Sequence, residues 1–186
     1  MRFAPDTDVA LAFMVALVNT RSGATKSGGD DLDSPAALTA LLDTFDYTGR
    51  FDRDSRELDE VVETRERLRR FFTLTRDAAV VEVNVMLRDA NALPRLVRHD
   101  GYDWHLHATA PEAPLSERIR VEVALALVDV LRTDELGRLR ECAAPDCDGV
   151  LLDLSRNGSK RFCSIRCGNR MNMIAFRERS VVSENR

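Results

Sequence analysis

The chain has 186 residues, of which 44% are hydrophobic and 31% charged, a composition typical of one globular domain or of one domain with a small appendage. Its net charge of −4 argues against indiscriminate binding to nucleic acid or anionic membranes. The apolar stretch at residues 9–18 is too short to span a membrane and follows two aspartates. These features predict a cytoplasmic protein that binds no membrane.

Apolar residues recur at helical spacing through most of the chain. The first such segment ends near Asn19 and Thr20, and the second starts at Ser34 and Pro35, where serine supplies a cap oxygen and proline fits the first turn. A short alternation at residues 102–107 predicts one strand. The helical segments are 9–18, 36–45, 55–72, 77–93 and 116–132. A mainly α fold is expected, with a multi-helical domain over residues 1–136.

Residues 137–186 have a different character, with all four cysteines clustered there. The spacing is Cys142-x4-Cys147-x15-Cys163-x3-Cys167, two close pairs whose linker is long enough for a hairpin. Such pairs suit a structural Zn²⁺ ion, because local turns arrange each pair in advance and four thiolates leave no open position for catalysis. A helix starting near Cys163 would complete a treble-clef-like zinc module. Two disulfides or four unrelated buried cysteines are the alternatives.

Positive charge is concentrated beside these cysteines. Residues 155–179 contain seven basic side chains and one acidic one, so this stretch carries +6 and the remainder −10. Basic side chains neutralise phosphates, and asparagine or arginine can read base edges. The candidate nucleic-acid-binding residues are Arg156, Lys160, Arg161, Arg166, Asn169, Arg170 and Arg177. Alternatively, Asn169 and Arg170 brace the metal site. Phe162 and Phe176 are expected to form the small core of the module rather than to stack on bases.

The motif Cys167-Gly168-Asn169-Arg170, together with the residues around the cysteines, resembles the CGNR zinc-finger family over residues 142–179. Residues 17–20 and 31–35 resemble the ABATE domain that accompanies this finger in stress-induced transcription regulators. The resemblance implies a bacterial regulator whose finger binds DNA and whose helical domain senses a small ligand. Family members often carry lysine at the position of Asn172, so the positive face is thinner here.

The resemblance also suggests that Asn19, Thr20 and Asp31 line a ligand pocket, although a plain cap or turn is the favoured explanation from the sequence itself. His105 and His107 lie on one side of the predicted strand and are a weaker candidate for a second metal pair. The carboxylates at Asp30, Asp31 and Asp33 are most simply part of a solvated loop.

No nucleophile motif, phosphate-binding glycine loop or dinucleotide fingerprint occurs, so no enzyme activity is expected. Two functions remain open. The first is a zinc-dependent DNA-binding transcription regulator, modulated by a ligand or by homodimer formation. The second is a protein-interaction adaptor whose zinc module is structural and whose arginines meet carboxylates.

Overall fold

The computed structural model describes residues 3–25, 27–98 and 103–184, and over these ranges the chain is mainly helical, as predicted. The helices are α1 (Pro5–Val18), α2 (Pro35–Asp43), α3 (Ser55–Arg69), α4 (Arg76–Asp89), α5 (Leu115–Arg132) and α6 (Ile165–Glu184). The strands are β1 (Arg95–Val97), β2 (His105–His107), β3 (Leu139–Glu141) and β4 (Val150–Leu152). Tyr102, the first residue of the predicted strand, lies outside the described residues.

Three helices begin at side-chain caps that satisfy an otherwise unpaired backbone N–H. The hydroxyl of Ser34 accepts from the backbone N–H of Ala37 at 3.2 Å, as predicted for the start of α2. Asp54 caps α3 through the N–H of Glu57 at 2.8 Å, and Thr75 caps α4. The helix starts are therefore set by local chemistry.

Helix α5 lies at the centre of the helical core, and α1, α3 and α4 all pack against it. Ile119 and Leu127 of α5 have no exposed surface. Burial of each such side chain stabilises the fold by about 1.5–3 kcal/mol. Other fully buried core residues are Leu11, Met14, Leu17, Val61 and Leu68. Apolar packing therefore holds the helices together.

Two details differ from the expectations. The helix predicted over residues 55–72 ends at Arg69 and continues as a 3-10 turn, Arg70–Phe72, in which both phenylalanines are buried. Strand β2 has a partner, β1, that the sequence did not predict; Leu96 pairs with Leu106 in the antiparallel register. Strand β1 is short and lacks a clear alternation, so only its pairing with β2 defines it.

Strands β3 and β4 form the second hairpin, in which Leu139 pairs with Leu152. The hairpin expected in the zinc module is present, but it encloses the first cysteine pair and does not lie within the linker between the two pairs. Leu139, Val150 and Leu152 belong to the same hydrophobic cluster as the helices. The domain boundary drawn at residue 137 stays a prediction, and side chains on both sides of it share one core.

Among the helices in the described ranges, none combines the length and the apolar character that crossing a bilayer requires.

Candidate metal centre

The first cysteine pair lies in the turn of the β3–β4 hairpin. The N–H of Cys142 donates to the carbonyl of Gly149 at 2.7 Å, and the N–H of Cys147 donates to that of Ala144 at 3.1 Å. The N–H of Gly149 points at the Cys147 sulfur, 3.4 Å away. These bonds fold the segment into a knuckle that brings both sulfurs to one side.

Gly149 leaves no room for a side chain. A Cβ atom there would lie 2.8 Å from the Cys163 sulfur and 3.2 Å from the Cys147 sulfur. The glycine is therefore needed because the backbone approaches the sulfurs closely.

The second pair lies at the start of α6. Cys163 precedes the helix rather than lying within its first turn, which corrects the predicted helix start. The hydroxyl of Ser164 accepts from the N–H of Cys167 at 3.3 Å, and Cys167 is in the first turn. The Cys163 N–H lies 3.4 Å from the Cys142 sulfur, which links the two pairs.

The four sulfurs lie within 4.8 Å of one another, and all four cysteines are free thiols. Three of the separations are 3.6, 3.8 and 3.6 Å, joining Cys147, Cys163 and Cys167 in turn. A tetrahedral ion with metal–sulfur bonds of about 2.3 Å holds its sulfurs about 3.8 Å apart, whereas a disulfide requires about 2.05 Å. The geometry therefore fits a metal-binding site and not two disulfides.

The electrostatics of the cluster also favour a cation. Burial raises the pKa of the Cys163 thiol far above its ordinary value and raises the pKa of Cys147 as well. At Cys167 burial opposes ionisation, but hydrogen bonding with Ser164 and the neighbouring sulfurs outweighs it and lowers the pKa. Four adjacent thiolates repel one another unless a divalent metal replaces their protons.

Arg170, one of the candidate nucleic-acid-binding residues, contacts the metal module itself. Its Nη2 donates to the Asp146 carboxylate at 2.6 Å and lies 3.9 Å from the Cys167 sulfur. Its Nε is buried and has no hydrogen-bond partner. This placement favours the bracing role for Arg170. Asn169, by contrast, is exposed on α6.

Arg166 is also engaged within the protein, because its Nη2 donates to the carbonyl of Thr25 at 3.1 Å. Arg161 lies over the ring of Phe162, with 5.6 Å from its Cζ to the ring centroid. The exposed candidates are Arg156, Lys160, Arg161, Arg166, Asn169 and Arg177. Five of these exposed candidates, Arg156, Lys160, Arg161, Arg166 and Arg177, carry positive charge in the module that holds the cysteines.

The loop of residues 153–160, which carries Arg156 and Lys160, is organised by Asp153, a residue that was not among the predicted site residues. Asp153 is fully buried and accepts from the N–H of Ser155 at 3.0 Å and that of Lys160 at 2.9 Å. Arg140 lies 3.2 Å from the same carboxylate. Burial opposes ionisation of Asp153, but these donors outweigh it and lower its pKa. An aspartate directly after an apolar strand was the available signal.

The two phenylalanines have different environments. Phe162 packs against the buried cluster of Cys142, Ala144 and Cys167, as expected. Phe176 is 58% exposed, so the prediction that it belongs to the module's core was wrong. Phe176 lies further along α6 than Met171, which packs against the buried cluster of the module.

The three candidate ligand residues are all hydrogen-bonded within the protein. The amide of Asn19 donates to the Val150 carbonyl at 2.9 Å and accepts from the Val150 N–H at 2.7 Å. The hydroxyl of Thr20 donates to the Leu17 carbonyl and accepts from Arg65. Asp31 accepts from Ser27 at 3.0 Å. Asn19 thus joins the end of α1 to strand β4.

The end of α3 and the loop after α1 make further contacts with the metal module. Arg69 at the end of α3 donates to the Asp148 carbonyl at 2.7 Å and forms an ion pair with Glu141 at 3.3 Å. The Asp148 N–H donates to the Gly23 carbonyl at 3.2 Å. The helical domain and the finger are therefore connected by hydrogen bonds, by an ion pair and by the shared hydrophobic core.

A cavity of about 630 Å³ opens over the start of α2, with Ser34, Thr39, Asp43 and Arg53 among its lining residues. None of the three candidate ligand residues lines it. The small-ligand site therefore stays a prediction.

His105 and His107 are brought together by β2, with 3.1 Å between their Nε2 atoms, and His107 lies 4.0 Å from Glu122. Within the described part of the chain, the four cysteines form the only cluster of three or more side chains arranged to hold a metal. Within those residues, the two histidines are therefore not part of a metal-binding cluster of three or more side chains.

Two family models match the chain. The ABATE model, described as a putative stress-induced transcription regulator, matches residues 11–134, which are two thirds of the chain. The CGNR zinc finger model matches residues 138–180 and includes all four cysteines. No curated protein matches the sequence. The chain therefore belongs to the ABATE family and carries a CGNR zinc finger after its helical domain.

Proposed function

We propose that the protein is a transcription regulator whose zinc-organised finger binds DNA. The observation that carries the proposal is the concentration of exposed basic side chains around the four-cysteine site, on a chain that is acidic elsewhere. A positive surface concentrated in one module directs the attraction for phosphates to that module.

Zinc is the metal that suits the site. Soft thiolate ligands in a closed tetrahedral set of four favour Zn²⁺ over the hard cations that prefer oxygen. The ligands are Cys142, Cys147, Cys163 and Cys167. The ion has a structural role here, because four protein ligands leave no position for a reacting water, and we assign the protein no catalytic activity.

The basic side chains divide into two groups in this proposal. Arg156, Lys160, Arg161 and Arg177 are exposed and neutralise phosphates. Arg166 and Arg170 keep their contacts with Thr25 and Asp146, so they position α6 and add charge without leaving the protein surface. Substitution of the second group would therefore disturb the module as well as the DNA contact.

Modulation by the helical domain is part of the same proposal. The loop that follows Asn19 is in contact with the finger through Gly23 and Thr25. A small ligand at Asn19, Thr20 and Asp31, or a second copy of the chain, would act on α6 through Arg166. The cytoplasm is the compartment in which such a regulator meets DNA.

A second candidate function is an adaptor that binds another protein. It is favoured by the exposed apolar side chains of α6, Ile165 at 83% and Met173 at 53%. The ion pair between Arg170 and Asp146 also favours it, because it is an example of an arginine of this module binding a carboxylate.

The deciding experiment is a salt titration of the zinc-loaded chain with a short labelled duplex of mixed sequence. We expect affinity to fall steeply between about 50 and about 200 mM salt. Replacing Arg156 and Arg177 together by glutamine should reduce the salt slope by about two. The matched control replaces Arg56 and Arg88, which are 85% and 72% exposed on other helices, and should leave the slope unchanged.

Absence of duplex binding at low salt would support the adaptor and reject the regulator. Metal analysis of the same preparation should give about one zinc per chain. A metal-free chain with two disulfides would contradict the zinc assignment.

A further inference from the structure

Helix α6 presents one side to the metal module and the other side to solvent. Cys167 is buried and Met171 packs against the cysteine cluster. Within the described residues, no other helix or strand packs extensively along α6. On the opposite side lie Ile165, Asn169 and Met173, which the helical repeat places along one stripe. We call Ile165, Asn169, Asn172 and Met173 the outward stripe, and all four are exposed.

The outward stripe itself carries no charge, and exposed arginines flank it. The helical repeat places Arg166 and Arg177 along one flank and Arg179 along the other. This arrangement suits a helix in a nucleic-acid groove, where the centre meets base edges and the flanks meet the two phosphate backbones. The major groove is about 12 Å wide and admits one α-helix.

From these positions, and resting on the proposed DNA-binding function, we infer that the outward stripe reads A·T base pairs in the major groove. Asparagine pairs through two hydrogen bonds with the N6 and N7 atoms of adenine, and apolar side chains contact the C5-methyl group of thymine. Asn169 and Asn172 provide the amides, while Ile165 and Met173 provide the apolar surface. Guanine is read mainly by arginine or lysine, and neither occurs in the stripe.

A second copy of α6 is a poorer partner for this surface. A two-helix seam needs apolar residues every three to four positions, but in the seam formed by Ile165, Asn169, Asn172 and Phe176 the two central positions are asparagines. Its flanking arginines would also face one another across a parallel pair. The phosphates of duplex DNA complement that charge instead.

The test begins with selection of duplexes from a random library by the zinc-loaded full-length chain. We expect the retained sites to share A·T pairs. Replacing their thymidines by deoxyuridine removes the C5-methyl groups but keeps the hydrogen-bonding pattern. Affinity should fall about fourfold for each methyl group that the stripe covers.

The variants connect this effect to particular residues. In an Ile165→Ala, Met173→Ala double variant the penalty for deoxyuridine should vanish, because the apolar surface is gone. Asn169→Ala should lose about tenfold discrimination at one A·T pair. The control is Val81→Ala, which removes an apolar side chain that is 63% exposed on α4 and should keep the full penalty. Zinc content and the circular dichroism spectrum check that each variant is folded.

Duplex binding that is equal across sequences, selective for G·C pairs, or insensitive to deoxyuridine would overturn the inference while the DNA-binding proposal stands. Self-association that Ile165→Ala abolishes, without any sequence preference, would assign the stripe to a second copy and also overturn it. Absence of binding to every duplex would overturn both proposals.

Discussion

The helical domain and the metal module are stabilised by different means. The helical domain buries a continuous set of leucine, valine, isoleucine and phenylalanine side chains around α5. The buried cluster at the metal site contains only Cys142, Ala144 and Cys167, with a few half-buried neighbours. Burial of apolar side chains therefore stabilises the helical domain, whereas the metal module depends on its metal ligands to hold its shape.

Removal of the metal should have the largest effect. Metal binding to structural four-ligand zinc sites contributes about 10–16 kcal/mol to folding. We expect a chelator to unfold the knuckle at residues 142–149 and the segment at residues 159–167, while the helical core with Val150 and Leu152 persists, because that core does not include the metal ligands. Amide hydrogen exchange measures both regions in one experiment. Complete loss of protection in α5 would show that the two regions fold as one unit.

Replacement of Leu127 by alanine should destabilise the helical domain. Leu127 has no exposed surface in the centre of α5, so the cavity should lower the free energy of unfolding by about 2–5 kcal/mol. Zinc content should stay unchanged, since the change lies outside the metal site. Urea unfolding and metal analysis test this, with Val81→Ala as the exposed control. Release of zinc from the folded Leu127→Ala chain would show that the metal module depends on the packing of the helical domain.

Replacement of Gly149 by alanine should weaken metal binding specifically. The added Cβ would collide with the Cys163 sulfur, so we expect zinc affinity to fall by about 10- to 100-fold, as for other disturbances around metal ligands. Gly137→Ala is the matched control, because a Cβ there meets nothing within 4 Å. Competition with a chromophoric chelator measures both affinities. Equal affinities would show that the knuckle adapts at little cost.

Replacement of Asn19 by alanine should weaken the connection between the regions. It removes two hydrogen bonds to the Val150 backbone and leaves those groups unpaired, which should lower stability by about 2 kcal/mol. Faster zinc release should accompany the loss, since β4 leads directly from the knuckle. Asn157→Ala, at an exposed loop position, is the control. Stability equal to that of the control would mean that the shared core alone joins the regions.

The smallest effect is expected for Asp30→Asn. Hydrogen bonding from Arg65 holds the pKa of Asp30 below its ordinary value of 3.8. The ionised pair therefore stabilises the fold above that pH, and the contribution is lost as the pH falls through the folded pKa. Asp30 is 39% exposed, so solvent screening limits the effect to about 1 kcal/mol. Thermal unfolding from neutral to acid pH should show a flatter profile for Asp30→Asn.

Much of the local structure could be predicted. Ser34 caps α2 as expected, and the helical periodicity placed the other helices of the helical domain within a few residues of their ends. Contacts that join distant segments could not be predicted. Asp30 was assigned to a solvated loop, yet it pairs with Arg65, which is only 4% exposed. No local pattern reveals that pair, because α3 must first pack beside the loop.

The cysteine cluster was determined by the sequence itself, since each ligand pair closes a short turn and four thiols with this spacing have few other uses. The surroundings of that cluster were decided by tertiary structure. Asn19 bonds to Val150 across 131 residues, and Arg166 and Arg170 are held by Thr25 and Asp146 while Asn169 is exposed. Ligand spacing is a property of a short chain segment, whereas exposure and long-range hydrogen bonds exist only after the helical domain and the finger have packed together.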